Sequence, residues 1–420
     1  MVELWLPYGK TEVVARIQSE NLSIVIKTDE NPGVEDPRAE IIRALDEPLK
    51  SEKIEETVKT KDKVAIVIDD HTRPSPSKLI LPPLIEKINH AGIKDSNISI
   101  IIGSGSHRQT RLDEITDLVG EEIEKKIRII NHDCDAKDLV EVGETTRGTK
   151  VLLNKVFIEA DYKILTGDVG FHYYAGYSGG RKSILPAIAG RSTIERNHAF
   201  LLDPQSRTGN LHENPVHLDM QEAAELVNVN FTVNVVLNSE RKIVKAFSGD
   251  LNSVFMEGVK LVDEMYKIPI DNQADIVLTS AGGSPYDIDL YQAYKAVDNA
   301  LDAMKKGGVI ILVAECPEGY GNEVFYRWMR DYKTLKNVEK RLKSKFVLGA
   351  HKAYYLLKAL EKAGIILVST MPGYYEEGIF KLKKATSANL ALEAAFKVTG
   401  RKSKVIVIPH GSSTLPVLKK

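Results

Sequence analysis

Short apolar runs rich in β-branched residues recur along the chain, with amphipathic stretches between them. Val64–Ile68, Ile98–Ile102, Ile127–Ile130, Tyr162–Leu165, Phe231–Leu237, Ile276–Leu278, Val309–Val313, Ile365–Val368 and Val405–Ile408 have the length and composition of strands. Several are apolar at every position rather than alternating, the pattern of sheets covered on both faces. Leu79–Ala91, Leu251–Met265 and Tyr286–Lys305 repeat their apolar positions with helical spacing. Strands alternating with helices predict an α/β protein with mostly parallel sheets. The stretch Tyr266–Gln273 comes after a long helix and precedes a strand. It predicts two α/β domains, an N-terminal one over 1–268 and a C-terminal one over 269–420, with the active site expected in the cleft between them.

Composition narrows the function classes. Of 420 residues, 43% are hydrophobic and 27% charged, an ordinary globular mixture. The 57 basic and 58 acidic side chains leave a net charge of -1, so there is no basic field for nucleic acid or an anionic membrane. The only two cysteines, Cys134 and Cys316, make neither a disulfide framework nor a zinc-knuckle spacing. They fit a reduced, cytoplasmic setting. The N-terminal residues lack the pattern of a signal peptide, and no apolar run approaches the ~20 residues of a membrane span. The sequence is compatible with a monomer or an oligomer.

Candidate chemistry gathers where three strands end, the place where open α/β sheets bind ligands. Val64–Ile68 runs into Asp69-Asp70-His71-Thr72-Arg73-Pro74, Ile98–Ile102 into Gly103-Ser104-Gly105-Ser106-His107-Arg108, and Tyr162–Leu165 into the long segment Gly167–Ser183. Asp70, Thr72 and Arg73 suit either anion binding or a capped turn. His107 comes after a flexible Gly-Ser-Gly-Ser run and is a candidate general base, with a surface-loop histidine as the plain alternative. His172 lies between Phe171 and Tyr173-Tyr174, whose rings would desolvate and orient it as an acid/base or bury it as a core residue.

The stretch Gly176–Ser183 resembles a phosphate-binding loop, but Arg181 stands where the P-loop requires its second glycine. Lys182 at the mouth of this glycine-walled loop is a candidate nucleophile if it loses its proton, and otherwise a solvated lysine. His198 falls in a segment that reads as a helix start after Gly190, with Ser192 as cap and Glu195 three residues on. No H-x-x-x-H or H-E-x-x-H pattern gives His198 partners for an ordinary zinc site. His212 and His217 lack acidic surroundings and read weakly as ligands.

Taken together, these segments resemble the nickel-dependent lactate racemase family. The motifs are Asp69-Asp70-His71-Thr72-Arg73-Pro74, Gly105-Ser106-His107-Arg108-Gln109-Thr110, Gly167–Lys182 through Gly190, Arg196-Asn197-His198 and Tyr291-Gln292-Ala293-Tyr294-Lys295. The resemblance covers most of the chain, and the joint occurrence is specific where each piece alone is not. It implies an isomerase that racemises a small 2-hydroxy acid, most simply lactate. It also implies a nickel-pincer nucleotide cofactor, a pyridinium-3-thioamide-5-thiocarboxylic acid mononucleotide holding Ni(II), made by separate cofactor-synthesis proteins.

By the same resemblance Lys182 is the attachment residue, His198 the protein ligand to nickel, and His107 and His172 the paired acid and base. Asp70, Thr72 and Arg73 match the region holding the nucleotide end or the substrate carboxylate. Gln292 and Lys295 match a substrate-binding helix of the second domain. The reaction implied is removal of the hydroxyl proton with hydride transfer from Cα to the cofactor, then return to the other face. Three alternatives stay open: another 2-hydroxy acid, malate-like, aromatic or a sugar acid; a phosphate- or nucleotide-binding protein; and an accessory protein that makes or carries the cofactor.

Overall fold

A computed structural model describes residues 1–28, 31–73, 75–344 and 346–419; Pro74 of the first motif lies outside the described residues. The chain forms two compact units, Glu30–Glu264, and Met1–Asp29 together with Met265–Lys420. Among the described residues no helix is long and apolar enough to cross a membrane.

In the unit Glu30–Glu264 a six-stranded sheet runs in the order Ile243–Gly249, Phe231–Leu237, Tyr162–Asp168, Val64–Asp69, Ile98–Gly103, Arg128–Asn131. The first pair is antiparallel and the rest are parallel. The strand Val64–Asp69 is buried at every residue but its last, as its unbroken apolar run requires of a strand with both faces covered. Ile66, Ile68, Ile100, Ile102 and Ile164 join Leu84 and Ile88 of the helix Ser77–His90 in one core. Register sets the strand ends side by side: Asp69 pairs with Gly103, and Val67 with Leu165. Successive strands leave Val64–Asp69 in opposite directions across the sheet. The switch point therefore falls between Val64–Asp69 and Tyr162–Asp168, where doubly wound sheets place ligands.

The other unit holds an all-parallel sheet ordered Lys383–Ala385, Gly364–Val368, Met304–Val313, Ala274–Ser280, Val405–Ile408, Leu22–Val25. Its edge strand comes from the start of the chain. The antiparallel hairpin of Val2–Tyr8 and Thr11–Ile17 also gives Leu6, Ala15 and Ile17 to the same core. The expected division 1–268 and 269–420 differs here: the first residues pair and pack with the C-terminal sheet, which no local pattern records.

Two local expectations are also corrected. The helix expected over Tyr286–Lys305 is confined to Leu290–Ala300: Asp289 caps it by accepting from the Gln292 N–H at 2.7 Å, and strand begins again at Met304. The helix Arg191–Ala199 starts from Gly190 in extended backbone, with no side-chain cap, so Ser192 lies inside the first turn rather than capping it.

Candidate active site

At the end of Val64–Asp69 the chain turns on Asp70, which is 1% exposed. Its Oδ1 accepts from the Thr72 N–H at 3.0 Å and the Thr72 hydroxyl at 2.6 Å. Its Oδ2 lies 2.7 Å from His107 Nδ1. Burial alone would raise the Asp70 carboxyl; the His107 bond, the Thr72 hydroxyl and the Arg73 charge outweigh it and hold it down at about 2. An ionised carboxylate can only accept, so His107 carries its proton on Nδ1 and presents a lone pair at Nε2. That is the tautomer of a general base, with Asp70 as its orienting partner. The turn reading of this segment holds as well, since the Thr72 bonds cap it.

His172 is held the other way round. It sits on a two-residue strand, Phe171–His172, paired with Gly176–Tyr177. The Ala175 N–H donates to His172 Nδ1 at 3.3 Å, so the neutral ring carries its proton on Nε2. Tyr173 stacks on the imidazole at 5.1 Å and Tyr174 meets it edge-on at 4.5 Å. Tyr174 is a hub, since its ring also lies 5.2 Å from that of His198 and 6.0 Å from Lys182 Nζ.

Lys182 stands in a tight turn, Gly180–Ser183, reached through Gly179 at φ 77° and Gly180 at φ 54°. A Cβ at Gly179 would lie 2.8 Å from the Asp168 carbonyl oxygen. Gly179→Ala is expected to lower the unfolding free energy by about 2 kcal/mol or more, through both the contact and the left-handed backbone. A urea-unfolding midpoint equal to wild type would show that the turn relaxes instead. The Gly180 N–H is taken by Asn234 Oδ1 at 2.9 Å and the Lys182 N–H by the Gly179 carbonyl at 3.2 Å. These groups are turned away from the phosphate-cradling role that a P-loop gives its backbone.

Arg181 explains why the second P-loop glycine is absent. It is wholly buried and donates to the carbonyls of Gly179, Ala175 and Tyr177 and to His217 Nδ1, with its guanidinium 4.2 Å above the Phe255 ring. It is the brace that shapes the loop, and His217 is its acceptor, kept neutral by burial and by Arg181 itself. Lys182, 9% exposed, is pushed well below the usual lysine range by burial and by the charges of Arg73 and Arg181, against the pull of Asp69 and Asp168. The site thus disfavours its ammonium form and eases loss of the proton. Burial and Asp168 raise Asp69, and burial raises Asp168, against the opposing charge of Arg73.

His198, 3% exposed, lies in the last turn of Arg191–Ala199. Burial, then Lys182, His107 and Arg73, lower it to about 3, so it is a neutral imidazole able to offer a lone pair to a metal. Among the described residues the one group of three or more protein metal donors is Asp133, Cys134 and Asp135, so His198 belongs to none.

The unit Glu30–Glu264 thus brings Asp70, Thr72, Arg73, His107, His172, Lys182 and His198 around the ends of three strands. Gln292 and Lys295 lie in the other unit, on the helix Leu290–Ala300. Sequence reasoning missed Tyr174 as the hub, the acid pair Asp69 and Asp168 beside Lys182, and the bond from Asp70 to His107. Tyr174 and Asp168 stand in the motif, yet nothing local says which way their side chains turn.

Sequence models of the lactate racemase N-terminal domain and the lactate racemase C-terminal domain match residues 8–209 and 270–415. The chain is 34% identical to a lactate racemase of Thermoanaerobacterium thermosaccharolyticum over 425 aligned positions, covering 99% of both proteins. It is also 34% identical to a lactate racemase of Lactiplantibacillus plantarum, over 98% of this chain and 99% of that one. The solved lactate racemase apoprotein of T. thermosaccharolyticum superposes with a TM-score of 0.93 at 33% identity, over 100% of each chain. A protein of Thermotoga maritima shares the fold at a TM-score of 0.67 and 19% identity, over 91% of this chain and 98% of that one.

Proposed function

The chain belongs to the lactate racemase family, and we propose that it interconverts the two enantiomers of lactate, with His107 and His172 moving the protons in a site built around Lys182 and His198. The observation that carries the reading is the pair of imidazoles in opposite tautomers beside a buried lysine whose charged form is disfavoured and a neutral, metal-competent imidazole.

The nickel-pincer nucleotide fits these residues on two counts. His198 belongs to no cluster of protein donors among the described residues, so a metal there needs a ligand that brings its own donors, as a pincer on square-planar Ni(II) would. Burial and the charges of Arg73 and Arg181 favour the uncharged amine of Lys182, the form that covalent attachment requires. When bound, the group supplies a hydride acceptor, which avoids a carbanion beside a carboxylate. Arg73 is an exposed cation for a phosphate or carboxylate, whereas Thr72 spends its one hydroxyl proton on Asp70, and Gln292 and Lys295 are assigned to the substrate carboxylate.

His107 Nε2 takes the hydroxyl proton of one enantiomer, and Asp70 stabilises the imidazolium that results. When the other enantiomer forms, His172 in its protonated form, with Nδ1 released from the Ala175 N–H, would give a proton to the substrate oxygen, and in the reverse direction the neutral ring would take it back, the two histidines exchanging their protons with solvent between turnovers. Two such groups are needed because the enantiomers set hydroxyl and hydrogen differently about one hydride acceptor. Asp70, with both oxygens engaged by protein groups, is assigned to positioning His107 rather than to the cofactor.

Protein produced together with the cofactor-synthesis proteins should drive either pure enantiomer of lactate to a racemic mixture in a chiral assay. A panel of malate-like, aromatic and sugar 2-hydroxy acids should turn over more slowly. Lactate carrying deuterium at Cα should keep its label through racemisation. Rapid washout into water would overturn the hydride route, and no conversion of lactate would overturn the substrate assignment. His198→Ala is expected to drop nickel from about one ion to near none per chain by elemental analysis, while circular dichroism stays that of wild type. Full nickel content in that variant would remove His198 from the metal site.

A further inference from the structure

In the unit that carries Gln292 and Lys295, the helix Ala350–Lys362 buries a lysine in its first turn. Lys352 is 1% exposed. Its Nζ lies 5.1 Å from the ring centre of Tyr291 and 5.0 Å from that of Tyr294, both on the helix Leu290–Ala300. This is a costly place for a cation: the interior disfavours the charge, and so does the positive end of a helix. Aromatic faces return part of that cost, which a leucine or methionine would not incur.

What distinguishes this lysine from a packing residue is its position on the helix that it faces. Tyr291 and Lys295 are four residues apart and Gln292 and Lys295 three apart, so all three share one side of Leu290–Ala300. Lys352 meets this helix at the rings of Tyr291 and Tyr294, and Tyr291 stands one turn from Lys295. Burial first, and then the charge of Lys295, lower its proton affinity to about 7, with Asp298 and Asp289 acting the other way. Lys352 and Lys295 therefore oppose each other's charge, and an anion at Lys295, by offsetting that repulsion, favours the charged form of Lys352 and is then held by both.

We infer that Lys352 is a second, buried cation behind the substrate-carboxylate site, a positioning residue that acts alongside Lys295 to set how tightly a 2-hydroxy acid anion binds. The inference rests on the assignment of Gln292 and Lys295 to the substrate carboxylate.

The test compares the cofactor-loaded full chain with its Lys352→Met, Lys352→Arg and Lys295→Met variants in lactate racemisation. Lys352→Met, close in volume, should raise KM for lactate on the order of tenfold, the scale of one charge acting across several ångström of protein interior. Its kcat should stay within about twofold and its melting temperature should not fall, since a buried charge has been replaced by an apolar group. Lys352→Arg, which keeps the charge, should bring KM back toward wild type. An unchanged KM in Lys352→Met overturns the inference, and so does a joint loss of kcat and thermal stability, the mark of a merely structural lysine. If Lys295→Met raises KM while Lys352→Met does not, the inference alone fails. If neither changes KM, the carboxylate assignment fails with it.

Discussion

Lys182→Ala, produced together with the cofactor-synthesis proteins, is expected to show the mass of the unmodified chain, where wild type is expected to carry an added mass, and to have no measurable racemase activity. The reason is chemical. At neutral pH an ordinary lysine is an ammonium and no nucleophile, whereas burial and the charges of Arg73 and Arg181 push Lys182 toward the free amine. Alanine removes the amine and leaves the glycine turn intact. An added mass retained in the variant would place the attachment elsewhere.

The same physics predicts a stability effect in the cofactor-free chain. Unfolding lets Lys182 take up a proton, so the unfolded state binds more protons between the lowered folded value and about 10.4. Stability should therefore rise with pH across that window and fall as pH decreases through it. Lys182→Met should lose this slope and gain on the order of 1–3 kcal/mol near neutrality. A denaturant series at several pH values checks both. Equal slopes would mean that Lys182 is protonated in the folded protein.

The second large effect concerns the Asp70–His107 pair. If His107 serves as the proposed proton carrier, His107→Ala should abolish racemisation from either enantiomer while leaving the nickel content and the mass of the chain those of wild type. Asp70→Asn should lower kcat by about 10²- to 10⁴-fold, the scale that a positioned acid/base contributes. The asparagine keeps the shape, but it neither fixes the Nδ1–H tautomer nor stabilises the imidazolium. KM should change little. Because Asp70 is held down at about 2, wild type keeps the carboxylate ionised at all working pH values, and the acid limb of its pH–rate profile should not report Asp70. An Asp70→Asn enzyme with wild-type kcat, or one that loses the cofactor, would return Asp70 to a cofactor-holding role.

Much of the site was legible because the chemistry sits at strand ends. The runs at Val64, Ile98 and Tyr162 have the unbroken apolar character of buried parallel strands. The segment after each run is polar and rich in turn-forming residues, and that contrast is local information. Lys182 was legible through its failed P-loop, and Arg181 shows why the glycine is missing. Element ends were less legible. Nothing in Tyr286–Lys305 announces that Asp289 takes the helix cap, and Gly190 rather than Ser192 starts the helix of His198.

By itself the sequence determined the main buried strands of the two large sheets, that these sheets are mostly parallel, and that His107, His172, Lys182 and His198 come after strand ends or share one motif set. Those properties depend on spacing along the chain. Only the tertiary structure decided that Leu22–Val25 completes the C-terminal sheet, that Asp70 spends its carboxylate on His107, that Tyr174 joins His172, His198 and Lys182, and that Lys352 lies beneath Tyr291 and Tyr294. Each of these is a pairing between residues far apart in the chain or a choice of side-chain direction. Such pairings are settled by which groups share a buried space once the sheets have formed, and by the cost of leaving a charge there without a counterpart.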